Sequence, residues 1–155
     1  MTTNSFLYGF SAVGLQDFIF RTNALREIIG ASELIKKIDG LGENLAGFLQ
    51  ENGVNLTKNP EVILSNAGNF RAIFDSEADL QNVIKYLPKL IAKNAYGLQI
   101  AQSLVKIQNN GYKSANSTLE SRLKIARNKI AFPLDFSHCL LKHNPKTFMM
   151  KSRIF

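Results

Sequence analysis

One short stretch constrains this chain more than any other. Pro60 precedes the apolar run Glu61-Val62-Ile63-Leu64-Ser65, Asn66-Ala67-Gly68 is a turn signal, and Asn69-Phe70-Arg71-Ala72-Ile73-Phe74 alternates apolar and polar residues. Period-two alternation marks a strand with one buried face, and a glycine-bearing turn between two such runs predicts a β-hairpin. A hairpin with an apolar face needs cover, and helical periodicity lies on both sides of it. Upstream, Phe18, Ile19, Leu25, Ile28, Ile29, Leu34, Ile35 and Ile38 recur at helical spacing from Leu15 onward, and the spacing resumes from Gly40 to Phe48. Downstream, Ser76 is an N-cap signal for a helix from about Glu77 to Ala95, with Leu80, Val83, Ile84, Leu87, Leu90 and Ile91 on its core face. Pro88 inside that run predicts a kink or a split, because proline cannot donate to the helix ladder.

The outer elements complete the pattern. Phe6-Leu7-Tyr8-Gly9-Phe10-Ser11-Ala12-Val13 is aromatic and β-prone, and Leu98 to Ile107 reads as a further strand. The order strand, helix, strand, strand, helix, strand is the ferredoxin-like βαββαβ arrangement, an α+β fold with an antiparallel sheet. After the loop Asn109-Asn110-Gly111, a basic amphipathic helix is expected from Ser117 to about Ala131, ended by Pro133. With 155 residues and 45% hydrophobic content the chain makes one domain. We place it at 1–132, with 133–155 as a tail that leads into or docks on another domain. The apolar residues Phe148, Met149, Met150, Ile154 and Phe155 in that tail are the reason. One segment stays open at this level. Either a single helix runs through Gly30-Ala31-Ser32, or one helix ends there and Ser32 caps the next.

Charge is unevenly placed. Residues 1–110 hold ten basic and ten acidic residues, whereas 111–155 hold nine basic residues against Glu120 and Asp135, the whole excess of +7. Clustered cations attract phosphates or acidic partners, so Arg122, Lys124, Arg127 and Lys129 are candidates for contact with RNA or a partner protein. No apolar stretch is long enough to span a bilayer, the first residues lack a secretory pattern, and a lone cysteine, Cys139, fits a reducing compartment. A cytoplasmic protein is expected.

Several chemistries find no support. The chain has no GxxxxGK[ST] phosphate loop, no GxSxG elbow, no CxxC pair and no HExxH. His138, Cys139 and His143 are three potential zinc ligands at poor spacing, and we read them as ordinary tail residues. No metal site is assigned.

The βαββαβ order is also that of nucleotidyl cyclases and polymerase palms, whose catalytic carboxylates at the end of strand one and in the hairpin turn hold two Mg²⁺ ions. Here those places read Ser11-Ala12-Val13-Gly14 and Asn66-Ala67-Gly68-Asn69, with no acid in either. The nearest carboxylates, Asp17 and Asp75, suit helix openings. Val13-Gly14-Leu15-Gln16-Asp17-Phe18-Ile19-Phe20, followed by Leu25-Arg26-Glu27-Ile28-Ile29-Gly30-Ala31-Ser32-Glu33-Leu34, resembles the opening of the first palm domain in the large, polymerase-like subunit of type III CRISPR effector complexes. Asn66 to Phe70 resembles the Gly-Gly-Gly-Asn-Phe hairpin of that family.

The resemblance implies two facing palms that bind ATP and make cyclic oligoadenylates. One palm carries Gly-Gly-Asp-Asp and the metals; the other is degenerate and helps hold nucleotide. This chain is similar to the degenerate palm, with no catalytic residue assigned. By that similarity Ser32 contacts an adenine edge, and Asn66, Ala67, Gly68 and Asn69 approach an ATP-like nucleotide through backbone and amide groups. Mg²⁺ with ATP is the only cofactor implied. The implied partner is a second palm, other effector subunits or a second copy of the chain. The alternatives are a minimal nucleotidyltransferase or cyclase active only as a dimer or with a partner, and an RNA-binding assembly module. For the last, Tyr8, Phe70 and Phe74 would have to face outward to stack bases, whereas the pattern places them under the helices. Gln16 and Phe20 are expected to serve as helix-opening and core residues.

Overall fold

A computed structural model describes residues 5–20, 24–107 and 111–129. Its elements are β1 (Phe6–Val13), α1 (Leu15–Ile19), α2 (Leu25–Asp39), α3 (Leu41–Glu51), β2 (Glu61–Asn66), β3 (Asn69–Phe74), α4 (Glu77–Asn94), β4 (Gln99–Lys106) and α5 (Gly111–Lys129). The four strands form one antiparallel sheet in the order β2-β3-β1-β4, the ferredoxin-like order expected from the sequence. β3 and β1 are the two interior strands, each paired on both sides.

Alternation decides which side chains go where. Tyr8 and Phe10 of β1 and Phe70, Ala72 and Phe74 of β3 point to one face, where they are buried with Ile35, Leu49, Leu87 and Ile91 of the covering helices. Phe10 and Phe70 stack with ring centroids 5.2 Å apart. This excludes the outward stacking that an RNA-recognition sheet would need from Tyr8, Phe70 and Phe74.

α4 is continuous through Pro88, so the expected split does not occur, and a side chain from another element compensates for the proline. Proline at 88 leaves the carbonyl of Ile84 without its helical donor. Gln102 on β4 supplies one: its Nε2 donates to Ile84 O at 3.2 Å, while its Oε1 accepts from the buried Tyr8 hydroxyl at 2.9 Å. Burial pushes the Tyr8 phenol well above its usual pKa, so it stays a donor. Ser76 caps α4 as expected, accepting from Asp79 N–H at 3.2 Å.

Other differences lie around α1, α2 and α5. The upstream helical stretch breaks between α1 and α2 rather than at Gly30, and α2 runs unbroken through Gly30-Ala31-Ser32. Of the two readings left open, the single helix holds, and a Cβ on Gly30 would meet nothing within 4 Å, so no close packing explains that glycine. Phe20 is exposed rather than core. The basic helix starts at Gly111, six residues before the expected Ser117.

α5 is more than an addition to one end. It lies on the opposite face of the sheet, burying Ala115, Leu119 and Leu123 against Leu7 and Val105. Gly9 makes the approach possible, since a Cβ there would lie 3.0 Å from both Leu119 Cδ2 and the Phe70 carbonyl oxygen. Arg71 of β3 fixes one flank of the helix, donating to Asn116 Oδ1 at 2.7 Å and Glu120 Oε1 at 3.0 Å. The domain is therefore three layers, helices on both sides of the sheet. The 1–132 boundary and the assignment of His138, Cys139 and His143 to a tail fall outside the described residues.

Candidate functional site

The hairpin turn and the end of β1 meet where a palm would carry its acids. Asn66 and Asn69 are paired across the turn, and the two residues between them, Ala67 (φ 50) and Gly68 (φ 72), are both left-handed, as a tight two-residue hairpin turn requires. Gly68 is also sterically required: a Cβ there would come 2.8 Å from Ala12 Cβ of β1. Ala12 N–H donates to Gly68 O at 2.7 Å, which ties the turn to the strand end.

Ser11 and Asn69 face each other in the β1–β3 register, and Ser11 Oγ donates to Asn69 Oδ1 at 2.8 Å. Asn69 Nδ2 then donates to Ala67 O at 3.3 Å. Ser11 is buried. The pair is neutral and its polar atoms bond to each other. Two Mg²⁺ ions need anionic oxygen donors, and this donor set does not fit them. Among the described residues no group of three His, Cys, Asp or Glu side chains comes together.

A residue that the sequence reading passed over holds the turn. Asp39, the last residue of α2, accepts from Ala67 N–H at 3.0 Å through Oδ2 and from Gly68 N–H at 2.9 Å through Oδ1. Its own carbonyl oxygen accepts from Ser65 Oγ at 2.6 Å. Two successive N–H groups in left-handed conformation form an anion nest, and here the protein's own carboxylate sits in it. The backbone N–H groups of Ala67 and Gly68, expected to approach a nucleotide, are thus taken by Asp39. Nothing in the local sequence marks Asp39; the contact spans 28 residues and depends on how α2 packs.

Ser32 lies on the same helix as Asp39. Seven residues separate them, about two turns, so they share a face at roughly 10 Å along the axis. The Ser32 hydroxyl is half-buried and donates to Ile28 O at 2.9 Å, the back-bonding of a serine inside a helix, not an N-cap. Its lone pairs stay available as acceptors. Asn66 is exposed at the turn. The structure therefore sets Ser32 and the turn 66–69 at two levels of one helix face, with Asp39 between α2 and the turn.

The four basic candidates of α5 are not brought together. At 100° per residue, Arg122 and Lys129 share a flank, while Lys124 and Arg127 lie about 200° and 140° away from Arg122. Arg122 Nη1 donates to the carbonyl oxygen of Leu104 on the edge strand β4 at 2.7 Å, which identifies its flank.

A Csm1–Csm4 cassette in complex with pppApApA matches over 88% of this chain and 21% of that chain, at 17% identity and a TM-score of 0.61. The cassette in complex with AMPPNP matches over 82% and 19%, at 19% identity and a TM-score of 0.59. Csm1 from T. onnurineus matches over 82% and 20%, at 17% identity and a TM-score of 0.57. The chain has the fold of the palm-like part of Csm1. It spans about a fifth of the length of the solved chains it matches. A further match is the Csm1–Csm4 subcomplex of the type III-A CRISPR-Csm interference complex, the same class of complex whose large subunit the residues at 13–34 and 66–70 resemble. No family model and no curated protein sequence matches the chain. No helix among the described residues is long and apolar enough to cross a membrane.

Proposed function

We propose that this chain is a non-catalytic palm of a CRISPR-associated, polymerase-like protein, which holds an ATP-like nucleotide and pairs with a second palm or another effector subunit. The observation that carries the reading is the Ser11–Asn69 hydrogen bond. It occupies the two positions where a two-metal palm needs carboxylates and leaves a neutral, self-satisfied pair there. Catalysis by metal-activated attack has no anionic donor set at these two positions, whereas binding through hydroxyl and amide groups does.

The position of Asp39 refines the binding mode. A carboxylate seated on the turn repels phosphates, so the triphosphate lies away from residues 66–69 and the turn meets base or ribose instead. Ser32, two turns back along α2, is the side chain for the adenine edge. The likeness to cassettes solved with ATP and AMPPNP supports a nucleotide as the ligand class. The exposed apolar residues Phe20, Leu25 and Ile29 around α1 and α2 support an assembly surface on the same side of the domain.

Calorimetric titration with ATP, with and without Mg²⁺, tests the reading. Binding that changes little with Mg²⁺ and weakens about 3- to 10-fold in Ser32→Ala is expected, the loss of one hydrogen bond worth about 0.5–1.5 kcal/mol. Binding that requires Mg²⁺ would point to the nucleotidyltransferase alternative. No binding at millimolar ATP would leave only the assembly role.

A further inference from the structure

The cationic excess at the end of the chain has a shape that the palm reading does not use. Between the edge strand β4 and α5 runs a groove of about 330 Å³, lined by Val105, Lys106, Ser114, Ala115, Thr118 and Arg122, with Gly111 at its end. Two of these are cations and none is an acid. The acid of α5 nearest to it in sequence, Glu120, lies about 160° around the helix from Arg122, where Arg71 holds its carboxylate at 3.0 Å. The structure thus sorts charge across the helix: Glu120 is neutralised on the β3 flank, and the β4 flank is left purely cationic among the described residues.

That flank continues beyond the groove. Ser114, Thr118 and Arg122 recur every four residues, and Lys129 follows Arg122 by two turns, so hydroxyls and cations form one file along about 20 Å of helix. Arg122 is held in place by its bond to Leu104 O, which leaves its other guanidinium N–H groups for a ligand. Lys106 extends the file onto the sheet edge and is exposed, as is Lys129. Tyr112, 39% exposed in the first turn of α5, adds an aromatic ring at the end where the groove begins.

We propose that this groove binds the phosphodiester backbone of a single-stranded polynucleotide, with Lys106, Arg122 and Lys129 facing successive phosphates and Tyr112 offering a stacking surface. A file of cations along one concave track, with an aromatic beside it, is how sequence-tolerant single-strand sites are built. A duplex presents two backbones, and the crown of the helix that the second would face, Ser117, Ser121, Lys124 and Asn128, offers one cation against the three of the file. The site is separate from the hairpin turn and does not depend on the nucleotide reading.

The test is fluorescence anisotropy of the full chain with a labelled single-stranded RNA of about 20 nucleotides, across a salt series from about 50 to 300 mM. The double variant Lys106→Glu/Lys129→Glu changes exposed residues only and is expected to weaken binding at least tenfold. It should also flatten the slope of log affinity against log salt by about 1.4, the loss of two single-strand phosphate contacts. Lys124→Glu/Arg127→Glu removes the same net charge from positions turned away from the groove and is expected to stay within threefold of the parent. Equal weakening by both pairs would overturn the proposal in favour of diffuse charge attraction. So would tighter binding of the same sequence as a duplex, or no binding of the single strand at the lowest salt. Failure of ATP to bind in the separate calorimetric titration would leave these outcomes unaffected.

Discussion

The two faces of the sheet are covered in different ways. On one, α2, α3 and α4 join β1 and β3 in a cluster of seventeen buried residues with stacked and edge-on aromatic rings, Tyr8, Phe10, Phe70 and Phe74 at its centre. On the other, a single helix rests on Leu7 and Val105 through three small or aliphatic side chains, helped by polar clamps at its flanks. The first face is held mainly by removal of apolar area from water, and its polar atoms serve to repair the backbone. The second buries little and relies on register: Gly9 admits Leu119, Arg71 takes Asn116 and Glu120, and Arg122 takes an edge carbonyl. A thin, clamped contact suits the ligand surface proposed for α5; a thick aromatic core suits the scaffold that fixes the hairpin turn.

Truncation separates the two faces most sharply. Phe70→Ala should destabilise the whole domain by about 3–5 kcal/mol in denaturant unfolding, because Phe70 is fully buried against Phe10 and Tyr8. Leu119→Ala should cost about 2–3 kcal/mol, and its effect should concentrate in α5: hydrogen exchange there should accelerate while α4 stays protected. Equal acceleration in α4 and α5 would show that the two faces form one cooperative unit and would end the distinction.

The polar repair of the first face gives the next effect. Gln102→Ala leaves both the Tyr8 hydroxyl and the Ile84 carbonyl without partners and should cost about 2–3 kcal/mol. In a Pro88→Ala background Ile84 recovers a helical donor, so the same substitution should then cost about 1 kcal/mol less. An unchanged cost would mean that Gln102 does not compensate for the proline.

The smallest effect is the most specific. Burial of Asp79 opposes its ionisation, but the Thr57 hydroxyl, the Thr57 and Lys58 N–H groups and the Ser76 hydroxyl outweigh it, and its carboxyl is held below the usual range. With the folded pKa below the unfolded one, the unfolded chain binds more protons between the two values. The stabilisation is complete above the unfolded pKa, about 4, and is lost as pH falls through the folded value. Asp79→Asn should therefore cost about 1–2 kcal/mol at pH 7 and progressively less below pH of about 4, with the two stability curves converging. Parallel curves down to the acid limit would show that this carboxylate is not the titrating group.

Local pattern was enough for the elements and their order. The alternation in 69–74, the apolar run 61–65 with its glycine turn, and the Ser76 cap each depend on a few neighbouring residues. The ferredoxin-like order followed because six such segments have few ways to cover one hairpin. What failed locally failed for a tertiary reason. Pro88 should disrupt a helix, yet its missing donor is replaced by Gln102 from a strand 14 residues later. The helical spacing from Leu15 carries no sign of the break between α1 and α2, and the start of α5 lies ahead of its first strongly apolar position because Ala115 suffices to fill the space beside Leu7.

The candidate site divides in the same way. That no acid stands at 11–14 or 66–69 follows from residue identity, which needs no coordinates, and so does the placement of the whole cationic excess after residue 110. Packing decides that Ser11 and Asn69 bond to each other, that Asp39 fills the N–H groups of the turn, and that Arg122 lines a groove with Lys129 farther along the same flank, while Lys124 and Arg127 lie away from it. Hydrogen bonds and charge sorting depend on distances of a few ångströms between residues far apart in the chain, and those distances are set by packing rather than by spacing along the sequence.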